Sequence, residues 1–211
     1  MAAADDSFAT PSMPPAAPLS MAGVLRGCFR KVLEDVDDML PCQVLGTDGR
    51  KWVSVKPLVK MGTTDGQAVS RAQIARIPVM IMGGGDFVLS FPIKAGDLGW
   101  IKASDRDTSL VMQGLGEDLP NTRRLHSFED GVFVPHRMRE WVLNDEDADR
   151  AVLSSVDGLT RIALGDGIVK VTATAIELVS DTLTHNGVNI GSTHTHDDVT
   201  TGSDMSGPPT P

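Results

Sequence analysis

Two histidines separated by one residue, His194 and His196, are the side chains of this sequence best suited to chemistry. They stand in the segment GSTHTHDD at residues 191–198, directly after a series of short β-strand patterns. Alternate residues of an extended chain point the same way, so both imidazoles are predicted to lie on one side. Imidazole nitrogen is a good ligand for transition metals. The spacing therefore predicts a metal site, and the competing interpretation is an exposed histidine pair in a tail that binds nothing.

Residues 150–211 must position this pair, and their composition predicts an intertwined β-structure. Runs of Val, Ile, Leu, Thr and Ala alternate with turn signals such as Asp157-Gly158, Gly165-Asp166-Gly167 and Asn186-Gly187. All six Phe and three Trp precede Val142, so these strands lack the large rings that usually fill a core. Several identical chains wound together would supply that core and pair the open strand edges. We therefore expect a trimeric β-helix, with an ordinary β-domain or a single-chain β-helix as alternatives.

A three-fold axis would bring six imidazoles, two from each chain, to one point. Six nitrogen ligands in an octahedral arrangement suit iron(II) or nickel(II) better than zinc, which prefers four ligands in structural sites. Such an ion would hold the chain ends together where a β-structure would otherwise fray.

The region before the β-helix is predicted to hold a small barrel and a connector. Residues 42–103 contain five short strand patterns, at residues 42–47, 51–59, 75–82, 87–91 and 98–103. Five short antiparallel strands of this length suit a barrel of the oligonucleotide/oligosaccharide-binding (OB) type. Residues 104–149 show little periodicity and are predicted to be a connector that ends in a solvated acidic run.

The N-terminal region is predicted to be a disordered arm followed by one amphipathic helix. Residues 1–20 are rich in Ala, Pro and Ser, a composition typical of disorder. Apolar residues then recur at spacings of three and four over residues 21–41, with Ser20 as the cap and Pro41 as the stop. This helix must dock against its own chain or a partner to bury its apolar stripe.

Composition excludes several functional classes. The chain has 19 Lys and Arg against 28 Asp and Glu, so it lacks the clustered positive charge that a nucleic-acid binder needs. Two cysteines are too few for a disulfide framework. There is no apolar run long enough to span a bilayer, nor the pattern of a signal peptide, so we expect synthesis in the cytoplasm. No hydrolase elbow, P-loop or HExxH motif is present, which argues against an enzyme.

The chain resembles the central spike, or membrane-piercing needle, of contractile-tailed bacteriophage baseplates. The resemblance covers residues 22–211 and rests on the His194-Thr195-His196 motif, the Gly/Pro-bearing tail at residues 202–211, and barrel segments such as Ile77-Pro78-Val79. Ser104-Asp105-Arg106-Asp107 is similar to the Arg-Asp turn that follows the barrel in these spikes. The resemblance implies a homotrimeric virion protein with one iron ion per trimer, held at the apex by His194 and His196 of three chains.

The same resemblance implies a mechanical role. The helix and barrel attach to the tail hub, and sheath contraction drives the spike through the host outer membrane; the protein is made in the host cytoplasm. Two alternatives are weighed against this hypothesis. A cupin-like metalloenzyme using His194 and His196 would need a third ligand and an aromatic-lined pocket within one chain. A receptor-binding tail fibre or adhesin should display exposed aromatic residues near its tip, and none follow Val142.

Overall fold

A computed structural model of the chain describes residues 20–34, 36–63, 65–194 and 202. The predicted arm at residues 1–20 therefore lies, apart from Ser20, outside the described residues, as does most of the tail after His194. The chain divides into two compact units, Met1–Trp141 and Val142–Pro211, called here the barrel unit and the C-terminal unit. This boundary falls before the predicted one at residues 149 and 150.

The barrel unit contains one helix followed by β-strands. Helix α1 is Met21–Glu34, and Ser20 caps it as predicted, because its Oγ accepts the Gly23 N–H at 3.0 Å. The strands and the short helix α2 are β1 Met39–Asp48, β2 Trp52–Pro57, β3 Met61–Gly62, β4 Ala68–Val69, β5 Ile74–Pro78, β6 Met82–Gly84, β7 Phe87–Leu89, β8 Leu98–Ser104, α2 Ser109–Gly114 and β9 Ser127–Pro135.

Five antiparallel strands form one sheet in the order β5-β2-β1-β8-β9. The two edge strands approach each other, since the Met80 N–H donates to the Phe133 carbonyl at 2.8 Å. The sheet is thus nearly closed into a barrel, and the predicted mainly-β barrel is confirmed in this coarse form. Every second residue points into one core, made of Leu40, Cys42, Val44, Val53, Val55, Ile77, Ile101 and Phe133. Burial in this core raises the pKa of the Cys42 thiol to about 12.

The predicted helix end at Pro41 is wrong. Helix α1 ends at Glu34, and Met39 and Leu40 already belong to strand β1. Leu40 is buried in the barrel core, and Pro41 pairs with Trp100 of β8. Core burial and strand pairing therefore outweigh the helical spacing of the apolar residues.

The fifth barrel strand also differs from the prediction. Residues 87–91 do not join the main sheet, because β7 pairs only with β6 in a separate hairpin. The fifth strand is β9, which lies inside the predicted connector at residues 104–149 and pairs with β8. Its Phe133 is fully buried in the core. Residues 132–134 are three consecutive apolar residues, so the apolar–polar alternation that indicates a strand is absent from this part of the sequence.

The C-terminal unit forms two small antiparallel sheets. Strands β10 Ala151–Ser154, β11 Arg161–Gly165 and β12 Ile168–Thr172 form a meander, and β13 Thr184–His185 pairs with β14 Val188–Asn189. The predicted turns are confirmed, since Asp166, Gly167, Asn186 and Gly187 all have positive φ, as hairpin turns of this kind require. Residues 176–179, which belong to the predicted β-structure of residues 150–211, pair with no other strand of the described chain. Within the described residues, only Asp147, Gly158 and Ala163 of this unit are buried.

Candidate functional site

His194 lies directly after the last hairpin, on a turn that Asn189 holds in place. The Asn189 Oδ1 accepts the Gly191 N–H at 2.9 Å, and the Asn189 Nδ2 donates to the Thr193 Oγ1 at 2.9 Å. The His194 backbone N–H donates to the Gly191 carbonyl at 3.1 Å. These bonds fix the backbone of His194 relative to strand β14.

The ring of His194 is held by a hydrogen bond to the backbone. Its Nδ1 lies 2.6 Å from the Gly191 carbonyl oxygen, which can only accept a hydrogen bond, so Nδ1 is the donor. Histidines that bind metals commonly donate one ring N–H to a backbone carbonyl in this way. The bond to Gly191 is thus of the kind that orients a metal-binding histidine.

His196, the second predicted ligand, lies outside the described residues. The juxtaposition of the two imidazoles, and the iron ion they are expected to bind, stay predictions. Of the remaining histidines, His185 is exposed on β13, and the ring of His136 packs edge-on against Trp100 with the ring centroids 6.2 Å apart.

One face of the β10–β12 sheet is an uncovered apolar surface, called here the apolar sheet face. The register places Leu153 beside Ile162, Ile162 beside Val171, and Leu164 beside Val169. Cross-strand partners share a face, so these side chains form one continuous patch. Each of the five is at least 41% exposed. A groove of about 350 Å³ continues this face toward Ala173, Ala175 and Ile176.

Two more apolar surfaces lie in the barrel unit. Helix α1 exposes Val24, Leu25, Phe29, Val32 and Leu33, each by 48% or more, so its stripe is not covered by the described chain. The β6–β7 hairpin exposes Met82, Phe87 and Val88 by 66% or more. The alternation of residues 87–91 predicts a barrel strand with one face in the core, but alternation alone does not show whether the rest of the chain covers that face. Within the described residues, no helix is long and apolar enough to span a bilayer.

A buried ion-pair network secures the start of the C-terminal unit. The carboxylate of Asp147, which is fully buried, accepts hydrogen bonds from the Arg161 Nε at 2.6 Å and the Arg150 Nη1 at 3.1 Å. Arg161 also pairs with Glu146, which in turn binds Lys170 at 2.6 Å. Burial alone would raise the pKa of Asp147, but the hydrogen bonds from the two arginines outweigh it and lower the pKa. The network thus ties residues 145–147 to strands β11 and β12.

Replacing Asp147 with asparagine is expected to destabilise this unit, because Arg150 and Arg161 would lose the buried carboxylate they share, and Arg161 would keep only the exposed Glu146 as a counter-ion. We expect the guanidinium unfolding midpoint at neutral pH to fall by roughly 0.5–1 M. Folding lowers the pKa of Asp147, so its ionised form stabilises the folded state. This stabilisation is complete above about pH 4, the ordinary pKa of a free aspartate, and is lost as the pH falls further. The difference between wild type and Asp147→Asn should therefore shrink on acidification. The control is Asp145→Asn, an exposed neighbour, and equal midpoints for the two variants would contradict the role of the network.

Comparison with known proteins matches the barrel strands to a family. Residues 40–136, which run from strand β1 to just past β9, match the family model described as the phage protein Gp138 N-terminal domain. No curated protein matches the chain. The family match supports a phage structural protein, and with it a place in the virion.

Proposed function

We propose that the protein is the homotrimeric central spike of a contractile-tail baseplate, which pierces the host outer membrane when the sheath contracts. The observation that carries the proposal is the apolar sheet face of the C-terminal unit, together with the phage family match of the barrel strands. A structural virion protein with an unburied β-surface needs either copies of itself or another virion protein to cover that surface. The first of these fits the aromatic-free sequence after residue 141.

Covering the apolar sheet face is worth enough free energy to drive assembly. Fully burying one Val, Leu or Ile side chain contributes about 1.5–3 kcal/mol. The five residues of the face are about half exposed, so their complete burial is worth roughly 4–8 kcal/mol per chain. Inside the chain, by contrast, Ala163 is the one buried apolar side chain among the described residues of this unit. Association of identical chains therefore supplies the missing core.

The segment between β12 and β13 supports intertwining of the chains. Residues 173–182 have no strand partner within the described chain, although they contain no proline and keep every backbone N–H. Buried backbone groups need hydrogen-bond partners. In the proposed trimer, this segment pairs with a neighbouring chain, and Ile176 and Leu178, which share one face of an extended strand, pack toward the axis.

The tip of the spike is the proposed metal site. His194 and His196 of three chains bind one iron ion through six imidazole nitrogens, and the bond from the His194 Nδ1 to the Gly191 carbonyl orients its ring. The ion links the three chain ends, so the tip resists fraying under load. This role is mechanical and requires no catalysis.

Helix α1 is the proposed attachment to the tail hub, together with the barrel. Its exposed apolar stripe is a surface of the kind that protein partners bury. Deleting residues 1–34, which spares Leu40 and the rest of the barrel core, is expected to leave a folded trimer that does not enter particles. Incorporation is measured by immunoblotting of purified particles, with a deletion of residues 1–19 alone as the control. Normal incorporation of the protein lacking residues 1–34 would remove the attachment role from the helix.

The proposal as a whole is tested by mass and metal analysis of the purified protein. A chain of 22.4 kDa should assemble to about 67 kDa, three times the chain mass. Iron should be present at one ion per three chains. A stable monomer at micromolar concentration would overturn the architecture, and a trimer without iron would overturn the tip.

A further inference from the structure

The barrel unit brings together three potential metal ligands that the sequence interpretation left apart. Asp38 directly precedes β1, Asp105 directly follows β8, and His126 directly precedes β9. These strands are neighbours in the order β1-β8-β9, so the three residues meet at one end of the sheet. One ligand atom from each side chain lies within 4.8 Å of the other two.

The backbone beneath this cluster is held by the sheet. The Asp38 carbonyl accepts the Ala103 N–H at 2.8 Å, which anchors the chain just before β1. Ser104 and Ser127 are paired across β8 and β9, one residue before Asp105 and one residue after His126. An ion pair between Asp37 and Arg71 fixes the residue next to Asp38. The positions of the three ligands are therefore set by strand register rather than by a flexible loop.

The imidazole of His126 points to a bound cation. Its Nδ1 is shielded from solvent and has no hydrogen-bond partner, although the carboxylate of Asp105 lies 3.8 Å away. A buried polar atom without a partner costs free energy, and two carboxylates facing each other repel. A dication between the three groups removes both costs at once.

We infer that Asp38, Asp105 and His126 form a binding site for one divalent transition-metal ion per chain. Ligand atoms about 2.1 Å from a shared ion lie about 3.0–3.4 Å from each other, so the ligand atoms, which lie within 4.8 Å of one another, need to close by at most about 1.4–1.8 Å. Two carboxylates and one imidazole suit zinc or manganese better than calcium, which takes oxygen ligands. Three protein ligands leave further coordination positions to water. The ion would tie the segment between α1 and β1 to the ends of β8 and β9, and so fix where helix α1 leaves the barrel.

This site is independent of the proposed spike tip, and the experiment keeps the two apart. The full-length His194→Ala/His196→Ala variant removes the tip ligands and serves as the parent. Titration with Zn²⁺ in a calorimeter is expected to show one ion per chain. Co²⁺ as a substitute should give the visible absorption bands of a nitrogen- and oxygen-ligated ion, and Ca²⁺ should not compete.

Adding Asp105→Ala to this parent is expected to weaken Zn²⁺ binding by more than about tenfold, since it removes a direct ligand. Asp105 is 84% exposed, so the substitution leaves the core untouched, and Asp38→Ala should act in the same way. The matched control is Asp86→Ala, an exposed aspartate in the turn between β6 and β7. Equal affinity in the Asp105→Ala and Asp86→Ala proteins, or no Zn²⁺ binding by the parent, would overturn the inference.

Discussion

A glutamate in place of Ile162 is expected to convert the proposed trimer to monomers. Ile162 lies on the central strand β11, between Leu153 and Val171 on the apolar sheet face. Three copies of the variant would bring three carboxylates into a surface from which water is excluded on assembly. Burying an unpaired charge costs several kcal/mol, comparable to the whole gain from covering this face. Light scattering should therefore give about 22.4 kDa for the variant and about 67 kDa for the wild type.

The control for this experiment is Leu119→Glu, the same kind of change at a leucine that is 79% exposed in the barrel unit. It should leave the trimer intact. Limited trypsin digestion adds a second measurement. In the Ile162→Glu protein the strands around Arg161 and Lys170 should become cleavable, while the barrel strands from β1 to β9 stay protected. A variant that keeps the three-chain mass would show that the apolar sheet face is not the interface.

Local patterns in the sequence predicted those parts of the fold that depend on neighbouring residues. The Asp166-Gly167 and Asn186-Gly187 turns form as expected, because their positive φ angles follow from residue type. The core positions of β1 and β2 follow from simple alternation, with Val53 and Val55 both buried. Ser20 caps helix α1 because its side chain accepts a bond from the following backbone.

The failures concern features that depend on distant parts of the chain. Leu40 fits the helical spacing as well as the strand pattern, and its place in β1 is decided by burial against other barrel strands. Phe87 and Leu89 alternate like core residues but lie on an exposed hairpin. Phe133, the largest fully buried side chain, was missed because its neighbours Val132 and Val134 are also apolar, so the sequence shows no alternation there.

The two candidate metal sites differ in the same way, since one depends on neighbouring residues and the other on distant parts of the chain. His194 and His196 were recognised because both residues lie within three positions of the sequence. Asp38, Asp105 and His126 are separated by 67 and 21 positions, and only the pairing of β1, β8 and β9 brings them together. A search by sequence spacing finds metal ligands that lie on one strand or helix. Ligands that lie on different strands are recognised only when the pairing register of those strands is known.

Replacing both His194 and His196 with alanine is expected to remove the iron of the tip completely and leave the trimer intact. The double substitution removes all six proposed ligands, so no partial site remains. The apolar sheet face and the Asp147 network lie upstream and are unchanged, which is why assembly should persist. Elemental analysis should therefore show the iron content falling by one ion per three chains, while the mass stays at about 67 kDa.

The accompanying variants separate ligation from positioning. Asn189→Ala keeps both imidazoles but removes the bonds to Gly191 and Thr193 that hold the His194 turn, so iron should bind about 10–100-fold more weakly. His185→Ala removes an exposed imidazole of the preceding hairpin and should change nothing. Because metal ties the chain ends only when it is bound, the double variant should also lose protection from amide exchange after Gly191. Iron retained at one ion per three chains in the double variant would show that the ligands lie elsewhere and that the tip is not built from these two histidines.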